Sequence, residues 1–186
     1  MEVKVVTKKK KNPKALDTND ILLRNRFLFL FNEVDEDSSK KIVKDLLALD
    51  IKNKGKQITL WINSPGGSCS DGLAIIDTIT KIKSPVVTIV TGEACSMAGI
   101  ISVVGDKRLM TSSSRWMGHP VTAGTYDYLP HVKDRVKAAE WIEDLCMNIF
   151  RKHTNLSEKD IKKTQHGELW LSAEECLLKG IVDKIV

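Results

Sequence analysis

The sequence predicts an α/β domain with a parallel sheet. Two observations carry this. Short β-branched or aromatic apolar runs alternate with longer segments whose apolar residues recur at helical spacing. That strand, helix, strand, helix order is the one produced when helices cross between parallel strands. The run Val86-Val87-Thr88-Ile89-Val90-Thr91 is β-branched and reads as a buried strand.

Taken in order, residues 1–19 are polar and basic, contain Pro13, and read as a flexible arm. Arg26-Phe27-Leu28-Phe29-Leu30-Phe31 is a first strand, ended by Asn32. Asp37-Ser38-Ser39 starts a helix in which Ile42, Val43, Leu46, Leu47 and Leu49 keep helical spacing. Lys52-Asn53-Lys54-Gly55-Lys56 is an exposed turn. Ile58-Thr59-Leu60-Trp61-Ile62 is a second strand, and Asn63-Ser64-Pro65-Gly66-Gly67-Ser68 is a turn whose glycines let backbone come close to something else. A helix over 71–82 places Leu73, Ile76, Ile79 and Ile82 on one face. Pro85 opens the strand over 86–91, and the small apolar run 98–104 is a buried helix stopped at Gly105.

A charged turn over 106–108 leads into a short strand, Leu109-Met110-Thr111, and a serine turn over 112–114. Arg115-Trp116-Met117-Gly118-His119 is extended, because Pro120 biases the residue before it away from helix. Residues 121–129 form a connection without periodicity. A long helix over 130–153 carries an apolar stripe of Val132, Val136, Ala139, Ile142, Leu145 or Cys146, and Ile149. Its length in a small domain suggests projection or contact with a neighbouring subunit. Ser157 starts a short helix with Asp160 in capping position, 166–170 is a loop, and Ser172 with Glu175 forms a capping box. That helix ends at Gly180, and 181–186 is a closing strand.

The 186 residues, 42% hydrophobic and 28% charged, suit one soluble globular domain with a real core. The net charge of +5 comes from 29 basic and 24 acidic residues. Residues 1–14 hold six lysines against Glu2, so the body carries 23 of each sign and is neutral. A nucleic-acid-binding domain spreads basic residues over a face, which sets that class aside for the body. No apolar run reaches membrane-spanning length, and the lysine-rich start has no apolar stretch behind it to form a secretory signal. Cys69, Cys95, Cys146 and Cys176 make no CxxC pair. Free thiols and a reducing cytoplasm are therefore expected, and a zinc site is not.

Ser96, in Gly92-Glu93-Ala94-Cys95-Ser96-Met97, falls at a strand-to-helix turn. Taken alone, the stretch reads first as a serine capping a core helix. Its other reading is a nucleophile beside free backbone N–H groups that would hold an oxyanion. His119 at a strand end is likewise either a satisfied histidine or a base held in a defined position.

Four stretches together resemble the proteolytic subunit of the Clp protease, the ClpP family of serine peptidases. They are Ile62-Asn63-Ser64-Pro65-Gly66-Gly67, Gly92-Glu93-Ala94-Cys95-Ser96-Met97, Trp116-Met117-Gly118-His119-Pro120 and Trp170-Leu171-Ser172-Ala173-Glu174-Glu175. They occur in the family's order and near its spacing, over residues 20–186. The resemblance implies a ClpP/crotonase-like fold of repeated β-β-α units with a long projecting helix. It implies subunits stacked as two heptameric rings that enclose the sites, unfolded polypeptides as substrates, a separate AAA+ unfoldase as partner, and no cofactor. Ser96 matches the nucleophile and His119 the general base. The N–H groups of Gly67 and Met97 match the oxyanion hole, and the helix from about residue 130 matches the one through which the rings meet.

The sequence also departs from the pattern. The third catalytic position, an aspartate two residues before an aromatic in the family, is Glu168 before Trp170. The connection from Ser96 to His119 looks short near 106–108, and the basic arm is unlike the family's N-terminal segment. Near the second strand, where the family docks its unfoldase, only Trp61 is aromatic. The expectation is a self-compartmentalising serine endopeptidase with a Ser-His-Glu triad, acting in the cytoplasm. The alternative is a ring subunit of little activity that assembles with an active paralogue. A crotonase-type acyl-CoA enzyme is opposed by Ser96-Met97 at a helix start. A membrane-associated signal-peptide peptidase would need a lysine base where His119 stands.

Overall fold

The computed structural model describes residues 17–186. The arm expected over residues 1–19 lies outside the described residues as far as residue 16. From Thr18 the chain is already helical. The helix α1 (Thr18–Arg24) was not apparent in the sequence because it is short, buries no residue and has no apolar stripe.

The strand β1 (Phe27–Leu30) leads to α2 (Glu36–Lys52), β2 (Ile58–Ser64), α3 (Cys69–Lys81), β3 (Val86–Cys95) and α4 (Met97–Ser102). Then follow β4 (Lys107–Met110), β5 (Arg115–Gly118), α5 (Leu129–His153), α6 (Glu158–His166), β6 (Leu169–Ser172), α7 (Ala173–Leu178) and β7 (Lys184–Ile185). Strands β1, β2, β3, β4 and β7 lie side by side, and each adjacent pair is parallel. This is the α/β architecture expected. On β2 the alternate residues Ile58, Leu60, Ile62 and Ser64 are all buried, while on the other face burial falls off from Thr59 through half-buried Trp61 to exposed Asn63.

The strand β3 is longer than expected and does two jobs. Its residues Val87 to Val90 pair with β4, and its residues Glu93 to Cys95 pair with β5. Gly92, at φ +78°, lies between the two stretches, and a Cβ there would sit 2.5 Å from the Asn63 amide oxygen. The strand therefore changes neighbours at a residue that only glycine fits. Strand β6 pairs antiparallel with β5, beside the row of parallel strands.

Several boundaries differ from the sequence reading for local reasons. Helix α2 starts at Glu36 because the Asp35 carboxylate accepts from Ser38 N–H while Ser38 Oγ accepts from Asp35 N–H. Helix α3 starts at Cys69 under a Ser68 cap. Lys107 and Arg108, expected in a turn, belong to β4, where the Arg108 guanidinium meets the Asp183 carboxylate and the His153 and Gly180 carbonyls. The expected loop over 166–170 divides between the end of α6 and the start of β6. The closing strand shrinks to Lys184–Ile185. The capping boxes at Ser157/Asp160 and Ser172/Glu175 stand as read.

The core runs through the sheet and its crossing helices, from Leu28 and Ile42 to Ile101, Trp116 and Phe150. Arg26 is buried within it, and its guanidinium donates to the carbonyls of Leu49, Lys56 and Gln57 and to Ser84 Oγ. No helix among the described residues is long and apolar enough to cross a membrane.

Candidate active site

Ser96 joins β3 to α4 at φ 54° and ψ −127°. This is a conformation that costs an L-residue about 1–3 kcal/mol. Three contacts hold it there. Its N–H donates to the Met117 carbonyl at 2.8 Å, and its carbonyl accepts from Ile100 N–H at 3.2 Å. Behind it lies Gly66, at φ +95°, where a Cβ would come within 2.6 Å of Ser96 Cβ. The Ser96 hydroxyl makes no cap bond to α4, so the helix-capping reading of this serine does not hold. The side chain is half-buried.

The Pro-Gly-Gly turn brings backbone to both sides. Val34 and Gly67 form a parallel bridge in which Val34 N–H donates to Gly66 O and Ser68 N–H donates to Val34 O, each at 2.7 Å. The pairing uses the groups that flank Gly67, which leaves the Gly67 N–H directed away from Val34. A Cβ on Gly67, at φ +145°, would lie 2.3 Å from the Val34 carbonyl oxygen. The two glycines thus divide the work: Gly66 meets the serine turn and Gly67 meets Val34. The N–H of Met97 opens α4 and has no preceding turn to donate to.

His119 follows β5 directly, one residue beyond Gly118. The same strand supplies the Met117 carbonyl that holds Ser96 N–H, so β5 ties the histidine to the serine turn. Ser96, His119, Gly67 and Met97 line one cavity of about 240 Å³. Its remaining wall includes Cys69, Ile100, Cys146, Met147 and Phe150.

Glu168 is not in that wall. Strands β5 and β6 pair Met117 with Trp170 and Gly118 with Leu169, so His119 and Glu168 each lie one residue beyond the last pair. The Glu168 side chain is exposed, and its Oε2 accepts from the Trp170 indole N–H at 2.7 Å. The Trp170 ring lies 5.0 Å from the Arg115 guanidinium carbon, and Arg115 pairs with Glu93 at 2.7 Å. The structure therefore brings four of the five anticipated residues together, while the fifth, Glu168, has its carboxylate turned to Trp170.

Cys95, next to Ser96, is fully buried, and burial pushes its thiol up to about 11, helped by the Glu93 carboxylate. It is a packing residue. Sequence reasoning missed Met117, whose contribution is a carbonyl and leaves no trace in residue type. It also missed Cys69 and Cys146 as cavity walls. For these the signal was present, since Cys69 immediately follows the glycine turn.

The arrangement places a hydroxyl, an imidazole and two backbone N–H groups around one cavity, which is the equipment for nucleophilic acyl transfer. A family model described as Clp protease matches residues 9–186. The chain is also 33% identical over 184 residues to the ATP-dependent Clp protease proteolytic subunit of Deinococcus radiodurans, an alignment covering 98% of this chain and 90% of that protein.

Proposed function

The chain belongs to the Clp protease family and is a serine-type peptidase, and from that premise we propose that Ser96, His119 and Glu168 cleave peptide bonds in unfolded polypeptides. His119 accepts the Ser96 proton as the hydroxyl oxygen attacks the peptide carbonyl. The Gly67 and Met97 N–H groups hold the resulting oxyanion; one such donor is commonly worth about 2.7–4 kcal/mol. Protonated His119 then gives its proton to the leaving amine. Water, activated by the same imidazole, releases the acyl group from Ser96. The observation that carries this reading is the strained Ser96 turn, its hydroxyl spared from capping, in one cavity with His119.

Glu168 completes the set in this proposal. Trp170 takes its Oε2, which leaves Oε1 for the imidazole at the end of the β5–β6 pairing. The carboxylate would fix the His119 tautomer and stabilise the imidazolium. One observation favours the second reading, a weakly active subunit working beside an active paralogue: the Glu168 carboxylate is bonded to Trp170 and not to His119.

Stacked heptameric rings fed by a separate ATP-dependent unfoldase in the cytoplasm complete the proposal. The free thiols and the exposed first half of α5 are in keeping with it. The test is hydrolysis of an unstructured peptide. The parent should cleave it, and Ser96→Ala and His119→Ala should each reduce turnover at least a thousandfold with unchanged secondary structure. Full activity in either variant would exclude the assignment.

A further inference from the structure

The cavity beside Ser96 contains a second reactive pair that peptide hydrolysis does not use. Cys69 is the first residue of α3 and is half-buried; Cys146 comes from α5 and is fully buried. Both line the cavity that holds Ser96 and His119, so the two thiols share one wall of it. The other two cysteines, Cys95 and Cys176, are buried outside this cavity.

We propose that Cys69 is a modification site for peroxides and soft electrophiles inside the substrate cavity, with Cys146 as the thiol that resolves its oxidised form into a disulfide. The neighbouring Cys146 thiol brings the Cys69 thiol down from its ordinary value, in the sense a helix N-terminus also favours. Cys146 is pushed up by Cys69 and by burial. Burial pushes Cys176 up to about 12 and Cys95 up to about 11. Cys69 is therefore the most reactive of the four: it is the one cysteine that is half-buried rather than buried, and its thiol is shifted down where the other three are shifted up.

The chemistry balances with hydrogen peroxide as oxidant. The Cys69 thiolate attacks one peroxide oxygen; an S–O bond forms, the O–O bond breaks, and the departing hydroxide takes a proton from solvent. The Cys146 sulfur then attacks the Cys69 sulfenic sulfur; an S–S bond forms, the S–O bond breaks, and hydroxide leaves as water with the Cys146 proton. Two thiols are oxidised and one peroxide is reduced to two waters. An added dithiol reverses the bond by exchange. Only the consequence for hydrolysis rests on the proposed function: a modified wall obstructs a peptide lying against Ser96.

The test is residue-resolved mass mapping of the full-length protein near neutral pH. With limiting iodoacetamide, Cys69 should be alkylated at least tenfold faster than Cys95 or Cys176. With hydrogen peroxide, a Cys69–Cys146 disulfide should form and be reversed by dithiothreitol. Cys146→Ser should stop at a Cys69 sulfenic acid trapped by dimedone, and Cys69→Ser should give neither product. The peroxide-treated parent should lose at least fivefold of its own untreated peptide hydrolysis and regain it with dithiothreitol, while Cys69→Ser keeps its own untreated rate. Comparable alkylation of the three cysteines, or absence of the disulfide, overturns the site. Unchanged hydrolysis in fully cross-linked protein overturns its effect on the cavity. If the disulfide forms in a parent that cleaves no peptide, the thiol site stands and the peptidase reading fails.

Discussion

At the scale of single residues, Ser96 and Cys95 are adjacent nucleophile types with opposite fates. Cys95 ends a strand and is sealed in the interior, whereas Ser96 is forced into a positive φ that turns its side chain out of the ladder. Ser96→Ala should abolish hydrolysis, and Cys95→Ala should retain it, as a peptide assay checks. Glu168 is the subtler position. An amide in place of a triad carboxylate costs about 10⁴ in turnover in a well-studied protease, while a misplacement on the order of 1 Å can cost about 10²-fold. Glu168→Gln should lower hydrolysis at least tenfold, and Glu168→Asp should stay within tenfold of the parent. Equal rates for the parent and Glu168→Gln would mean that another group orients His119.

At the scale of elements, the site is a property of how β2, β3 and β5 meet. The Pro-Gly-Gly turn after β2 approaches the serine turn so closely that Gly66 can carry no side chain. Gly66→Ala should therefore reduce turnover at least a hundredfold by displacing Ser96 and Met97 N–H, with the far-ultraviolet circular dichroism of the fold kept. The partnership between Asp183 and Arg108 ties the chain end to β4, and it holds the Asp183 carboxyl below its ordinary value. A lowered carboxyl binds fewer protons folded than unfolded, so its contribution is complete above the unfolded value near 3.9 and is lost as pH falls through the folded one. Asp183→Asn should flatten the acid limb of a denaturation profile over that range, and an unchanged limb would assign acid sensitivity elsewhere.

Much of this element layer was legible in the chain. The strands β1, β2 and β3 follow from their apolar runs and the helices α2, α3 and α5 from apolar period, and the boxes at Ser157 and Ser172 from cap chemistry. The sequence reading lost β6 because Leu169-Trp170-Leu171 is too short to show alternation, and its strand character comes from pairing with β5. It placed the start of α2 late because Asp35 caps through a serine rather than the usual Glu or Gln. The residues of the site were legible as types at a turn. What their types could not show was the Met117 carbonyl under Ser96, the separate contacts of Gly66 and Gly67, and the engagement of Glu168 by Trp170.

At the scale of the whole molecule, α5 divides in two. Its second half packs through Cys146, Met147 and Phe150, while its first half leaves Leu129, Val136 and Trp141 exposed. A helix with an apolar stripe and no cover over half its length has surface to bury against another copy. Val136→Glu should shift the protein from ring assemblies to smaller species in light scattering, with helix content unchanged. A chain that stays at 20.8 kDa in both forms and at every concentration would remove the ring proposal. Deleting residues 1–14 should take away the net positive charge and leave assembly intact.

The central claim is that Ser96 is an activated nucleophile, and a fluorophosphonate reports that directly, without regard to substrate, unfoldase or ring state. Incubation of the parent should give a single phosphonylated residue, mapped by mass spectrometry to Ser96, with labelling slowed at least tenfold in His119→Ala and absent in Ser96→Ala. A parent that takes up no label, or takes it up at a residue other than Ser96, would contradict the account.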